Sequence, residues 1–121
     1  AEHHQWACAQ MAGFRPPLLT CEPVLAEAEH LLRRQRLDVA PLMELLERGV
    51  LQVALDLQEA AAALKELLRR YKNIPMSLAD ACLVRMSETR DRAVVWTLDT
   101  GFRVYRRRGR LVIPTLFPPE V

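Results

Sequence analysis

Apolar positions along the chain recur in two rhythms, stripes at i, i+3, i+4 and i+7 that fit helices and short unbroken runs that fit buried strands. Ala1 to Met11 has a helical pattern with Trp6, Cys8 and Met11 that closes near Gly13. Pro16 and Pro17 close a loop, and Leu18 to Thr20 reads as a short strand. Pro23 suits the first turn of a helix capped by Thr20 or Cys21, running to Arg34 with Val24, Leu25, Ala28, Leu31 and Leu32 on its buried stripe. Asp38 heads a further helix carrying Leu42, Leu45 and Leu46, which Gly49 ends. Val50 to Leu55 then reads as a strand, and Leu57 to Tyr71 as a long helix behind the capping-type pair Asp56 and Glu59.

The stretch from Ile74 to Phe102 organises the rest. Ser77 followed by Asp80 is a capping-box pattern with Asp in place of the usual Glu, so a helix is expected from Ser77 to Glu88. Ala79, Cys82, Leu83 and Met86 keep helical spacing, while Leu78, Ala81 and Val84 make the remaining surface nearly as apolar, which predicts a helix covered on two sides. Asp80 then lies in a poorly solvated place, where a carboxylate needs hydrogen bonds, a positive partner or a metal ion. Ala93 to Leu98 reads as a buried parallel strand that ends at Asp99, with Gly101 as the turn. A helical turn over Phe102 to Arg107, broken by Gly109, a small strand at Leu111 to Ile113 and an irregular tail marked by Pro114, Pro118 and Pro119 complete the chain.

Strands alternating with helices predict an α/β fold, a three-layer sandwich around a central, mainly parallel sheet. In open sheets of this kind ligands bind beyond the carboxyl ends of the strands, where Asp99 points. Asp56 also ends a strand, but its capping role explains it without a metal. Glu27 and Glu29 lie on opposite borders of their helix's apolar stripe, and periodicity does not choose between them.

The 121 residues suffice for one domain with a real core, and no apolar run is long enough to cross a bilayer. The three cysteines, Cys8, Cys21 and Cys82, are odd in number and fall in helical or buried segments, so reduced core thiols and a cytoplasmic setting are expected. A net charge of +2 favours no partner class, but Arg103, Arg106, Arg107, Arg108 and Arg110 follow Asp99 with no acid among them. That run is either a basic field beside the acidic site or a solvated surface. His3 and His4 are adjacent and diverge on a helix, and His30 is isolated, so no histidine metal site is expected. The chain has no G-x-G-x-x-G, no G-x-x-x-x-G-K-[ST] and no G-x-S-x-G, which removes the usual phosphate loops and the nucleophile elbow.

Pro-Met-Ser-Leu-Ala-Asp-Ala from Pro75, followed by Thr-Leu-Asp-Thr-Gly-Phe from Thr97, resembles the last two acidic motifs of the PIN-domain nucleases, the family that includes the VapC-type toxins. Thr20 with an acid seven residues on also matches the family pattern, which selects Glu27 over Glu29. The resemblance implies a compact α/β sandwich that cleaves RNA with Mg²⁺ or Mn²⁺ held by Glu27, Asp80 and Asp99, Thr97 being a weaker candidate for orienting a ligand. It further implies an antitoxin protein as partner; a homodimer is also expected, and no membrane, since no apolar run is long enough to cross one. Such sites work because clustered carboxylates hold a cation that lowers the pKa of the attacking water and clamps the phosphate oxygens. One departure stands out: family members begin with a strand carrying a first aspartate, and here no Asp precedes Asp38. The expectation is a single PIN-like domain over residues 1–121 whose first strand lies upstream of Ala1. The competing expectation is a non-catalytic module of the same fold that binds RNA or a partner protein.

Overall fold

The computed structural model describes Ala9 and residues 13–96, 104–113 and 115–116. In chain order these form β1 (Leu18–Thr20), α1 (Glu22–Arg34), α2 (Ala40–Glu47), β2 (Leu51–Val53), α3 (Leu57–Arg70), α4 (Leu78–Glu88), β3 (Val95–Trp96), β4 (Arg106–Arg107), β5 (Leu111–Val112) and β6 (Thr115–Leu116). The expected helix over Ala1 to Met11 lies almost wholly outside the described residues.

Helix α4 is the hub, and its sequence says why. Ser77 Oγ accepts the Asp80 N–H at 3.0 Å while Asp80 Oδ2 accepts the Ser77 N–H at 3.2 Å, so the reciprocal box satisfies two otherwise orphaned donors at the helix start. Beyond it Ala79, Ala81, Cys82, Val84, Met86 and Ser87 are all buried, and the buried hydroxyl of Ser87 donates to the Val84 carbonyl. No single amphipathic face accounts for that pattern. Indeed α1, α3 and β4 all pack against α4, and its side chains share one core with Cys21, Leu64, Leu67, Tyr71, Tyr105 and Ile113.

Parallel pairing links β1 to β2, with Leu18 opposite Leu51 and Thr20 opposite Val53, and β3 to β6, with Val95 opposite Thr115. The helices α1 and α2 form the crossover between the first pair, as parallel strands require. Asp56 caps α3 by accepting the Glu59 N–H at 3.1 Å, the local role expected of it. Cys21 and Cys82 are free thiols at 0% exposure; Cys8 lies outside the described residues. Among the described residues no helix is long and apolar enough to cross a membrane.

Three expectations are corrected. The described part of the stretch expected as a helical turn, 104–107, carries the strand β4, paired antiparallel with β5. Arg108 and Gly109 both take positive φ, +53° and +78°, the twist that lets a short turn join antiparallel strands. The tail expected to be irregular supplies β6, the parallel partner of β3. Finally, Leu31 of the supposed buried stripe of α1 is 52% exposed, and no residue of that helix is fully buried, because α1 lies along the edge of the core.

Candidate acidic site

Asp80 occupies the third position of α4, where a negative charge is favoured by the helix dipole as well as by the capping box. A further donor arrives from far along the chain. The hydroxyl of Tyr105 donates to Asp80 Oδ2 at 3.3 Å, from a side chain that is 1% exposed. Tyr105 is itself held by Tyr71 at the end of α3, the two rings meeting edge to face with centroids 5.2 Å apart. Oδ2 thus takes both the Ser77 N–H and the phenol, and the plane of the carboxylate is fixed by groups on two elements. Burial of Asp80 is partial, as expected.

Glu27 stands on α1, the helix that packs against α4. It is exposed and, among the described residues, borders an open surface hollow of about 410 Å³ with Ala26, His30 and Leu31 of the same helix. Glu29, which periodicity left as an equal, is engaged in an ion pair with Arg33 one turn on. Glu29 is thus paired within its own helix, while Glu27 borders an open surface hollow. Thr20, the residue seven before Glu27, is buried at the end of β1, where its carbonyl accepts the Ala54 N–H.

Asp99 and Thr97 lie outside the described residues, as do His3 and His4; of the strand expected over Ala93 to Leu98, Val95–Trp96 is described as β3. Among the described residues no group of three or more His, Cys, Asp or Glu side chains is placed to hold a metal ion. Glu27 and Asp80, on two packed helices, offer only carboxylate oxygens, a donor set that fits hard cations such as Mg²⁺ or Mn²⁺.

The arginine run divides. Arg107 is buried, donating through one terminal nitrogen to the Arg90 carbonyl at 3.4 Å while its Nε has no partner among the described residues. Arg108 donates to the Glu88 carbonyl at 3.0 Å and pairs with Asp91 at 3.6 Å, so its charge rests on the carbonyl end of α4. Arg106 donates to the carbonyls of Val104 and Tyr105. Arg108 and Arg110 keep exposed side chains, and Arg103 lies outside the described residues. Neither a solvated run nor a uniform basic field describes this arrangement.

Sequence reasoning missed Tyr105 and Tyr71. The one signal available was the alternation Tyr105, Arg106, Arg107, in which the first and third side chains of a strand share a face. The family model described as PIN domain matches residues 1–108 of the 121. No curated protein and no solved structure matches the chain.

Proposed function

Since the chain belongs to the PIN-domain family, a family of nuclease folds that typically use divalent metals, we propose that it is a ribonuclease whose Mg²⁺ or Mn²⁺ is held by Glu27, Asp80 and Asp99. The observation that carries this reading is the Asp80 carboxylate, oriented by the Ser77 N–H and the Tyr105 hydroxyl on a helix packed against the one that presents Glu27. A bound cation supplies a water of lowered pKa and neutralises charge on the scissile phosphate. Asp80 contributes a ligand that is oriented before the cation arrives, so little carboxylate reorientation is needed. Glu27, exposed on the helix that packs against α4, would contribute a second carboxylate. Asp99 completes the set, with Thr97 as a weaker candidate for orienting a ligand. The arginines with exposed side chains, Arg108 and Arg110, suit RNA phosphates. On the same reading the chain is the toxin of a toxin–antitoxin pair, with a small antitoxin protein and a second copy as partners.

The test is calorimetric Mn²⁺ binding and cleavage of single-stranded RNA by the intact protein and its Glu27→Gln, Asp80→Asn and Asp99→Asn variants. Each substitution is expected to weaken Mn²⁺ binding and slow cleavage without unfolding the domain. Asp56→Ala should leave both at native levels and cost about 1 kcal/mol of stability, the loss of a helix cap. If Asp80→Asn unfolds the protein and leaves metal binding unchanged, capping is the whole role of Asp80. RNA binding without cleavage at any Mn²⁺ concentration would establish the non-catalytic module instead.

A further inference from the structure

We propose that Tyr105 is a positioning residue for the metal ligand Asp80, an inference that rests on the nuclease reading above. A phenol at 1% exposure has its hydroxyl out of reach of bulk water, and a buried hydroxyl without a partner is costly, so the 3.3 Å bond to Asp80 Oδ2 answers a need that burial creates. The bond spans 25 residues of sequence and joins the start of α4 to the residue that leads into β4, two elements that pack against each other.

The capping box and the phenol act on the same carboxylate oxygen. The Ser77 N–H meets Asp80 Oδ2 at 3.2 Å. A second donor on the same oxygen, arriving from another element, defines the plane of the group and hence the direction of Oδ1. Outer donors of this kind orient ligating carboxylates and are commonly worth a factor of about 10–100 in metal affinity. Tyr105 is held rigid in turn. Its ring is clamped edge-on by Tyr71, and the Tyr71 hydroxyl accepts the N–H of Arg106, the residue after Tyr105, at 2.9 Å. Both tyrosines of the chain therefore serve one carboxylate, Tyr105 by direct contact and Tyr71 by fixing the strand that delivers it.

The experiment measures Mn²⁺ affinity by calorimetry on the intact protein and on Tyr105→Phe, Tyr71→Phe and Asp80→Asn, below the unfolding temperature of the least stable of them. Cleavage of single-stranded RNA is followed against Mn²⁺ concentration in parallel. Phe keeps the ring in its place against Tyr71 and removes only the hydroxyl. Tyr105→Phe is expected to weaken Mn²⁺ binding on the order of tenfold, with the cleavage rate recovering at saturating Mn²⁺ and RNA affinity unchanged. Tyr71→Phe, which loosens the strand while keeping the phenol on Asp80, is expected to stay within about threefold of native, well short of the effect of removing a donor from the ligand itself. Equal losses in the two variants would mean that Tyr105 acts only by holding the fold, and would overturn the proposal. So would Mn²⁺ affinity unchanged by Tyr105→Phe where Asp80→Asn abolishes it, an outcome that leaves the nuclease reading standing. Mn²⁺ binding unchanged by Asp80→Asn would remove that reading and the proposal with it.

Discussion

The hydroxyl of Tyr71 accepts a hydrogen bond from the backbone N–H of Arg106 at 2.9 Å, tying the residue that caps the C-terminus of α3 to the first residue of β4. The short β4–β5 hairpin is thereby anchored to the helical core at a point 35 residues away in sequence. An isolated two-stranded hairpin is marginal in water, so this anchor and the ring contact between Tyr71 and Tyr105 join the Arg107 and Arg108 contacts in ordering it.

Tyr71→Phe should therefore cost about 1–2 kcal/mol in chemical denaturation, the usual penalty for removing a buried hydrogen-bond acceptor. The loss should be concentrated locally. Native-state hydrogen exchange is expected to speed up at the Arg106 amide and along β4 while the amides of α4 keep their protection. Uniform acceleration across the domain would show that the hairpin and the core open together.

The arginine run should separate by burial. Replacing Arg108 and Arg110 together with Gln is expected to flatten the salt dependence of single-stranded RNA binding by about 1.4 in log–log slope, about 0.7 for each phosphate that is no longer neutralised. Arg107→Ala should leave that slope alone and lower stability by about 1–3 kcal/mol, because it removes a buried stem and its bond to the Arg90 carbonyl. Fluorescence titrations at several salt concentrations, paired with urea unfolding, check both. A slope unchanged by the double variant would return these side chains to the solvated surface.

The buried thiols predict an alkaline weakness. Burial pushes the Cys82 thiol up to about 12, from an ordinary value of 9.0, with the neighbouring Cys21 adding to the effect, and burial raises Cys21 as well. The unfolded chain releases a proton near pH 9 that the folded chain keeps. The stabilising contribution is thus complete below pH 9 and is lost as pH climbs towards 12, at about 1.4 kcal/mol per pH unit for one proton. Cys82→Ala should be less stable than native at pH 8 because it leaves a small void. The gap should narrow between pH 9 and about 10.5, measured by urea unfolding at each pH. A gap that is constant with pH would mean that Cys82 ionises in the folded state as readily as in the unfolded one.

What the sequence determined by itself is the local part of this protein. The capping box at Ser77 and Asp80, the cap at Asp56, the proline in the first turn of α1 and the all-round apolar character of α4 are set by residues close together in the chain, where its own geometry dictates the contact. Such patterns were enough to place α1 to α4, to single out Asp80 and to explain Asp56 without a metal. The tertiary structure alone decided the rest. β5 matches the small strand expected at Leu111 to Ile113, but β4 is only two residues long, too short for any pattern, and β6 falls in a tail punctuated by prolines; both exist because a partner strand lies alongside. The exposure of Leu31, on a helix whose stripe looks like any other, depends on how far the core extends beneath it. The phenol on Asp80 comes from a tyrosine 25 residues away, and the opposing fates of Glu27 and Glu29 turn on which of them reaches Arg33 and which borders an open surface hollow. The tyrosine contact has no sequence signature, because a contact between distant elements is fixed by packing and leaves no period in the chain, whereas the Glu29–Arg33 pair is an i, i+4 spacing that the sequence itself carries.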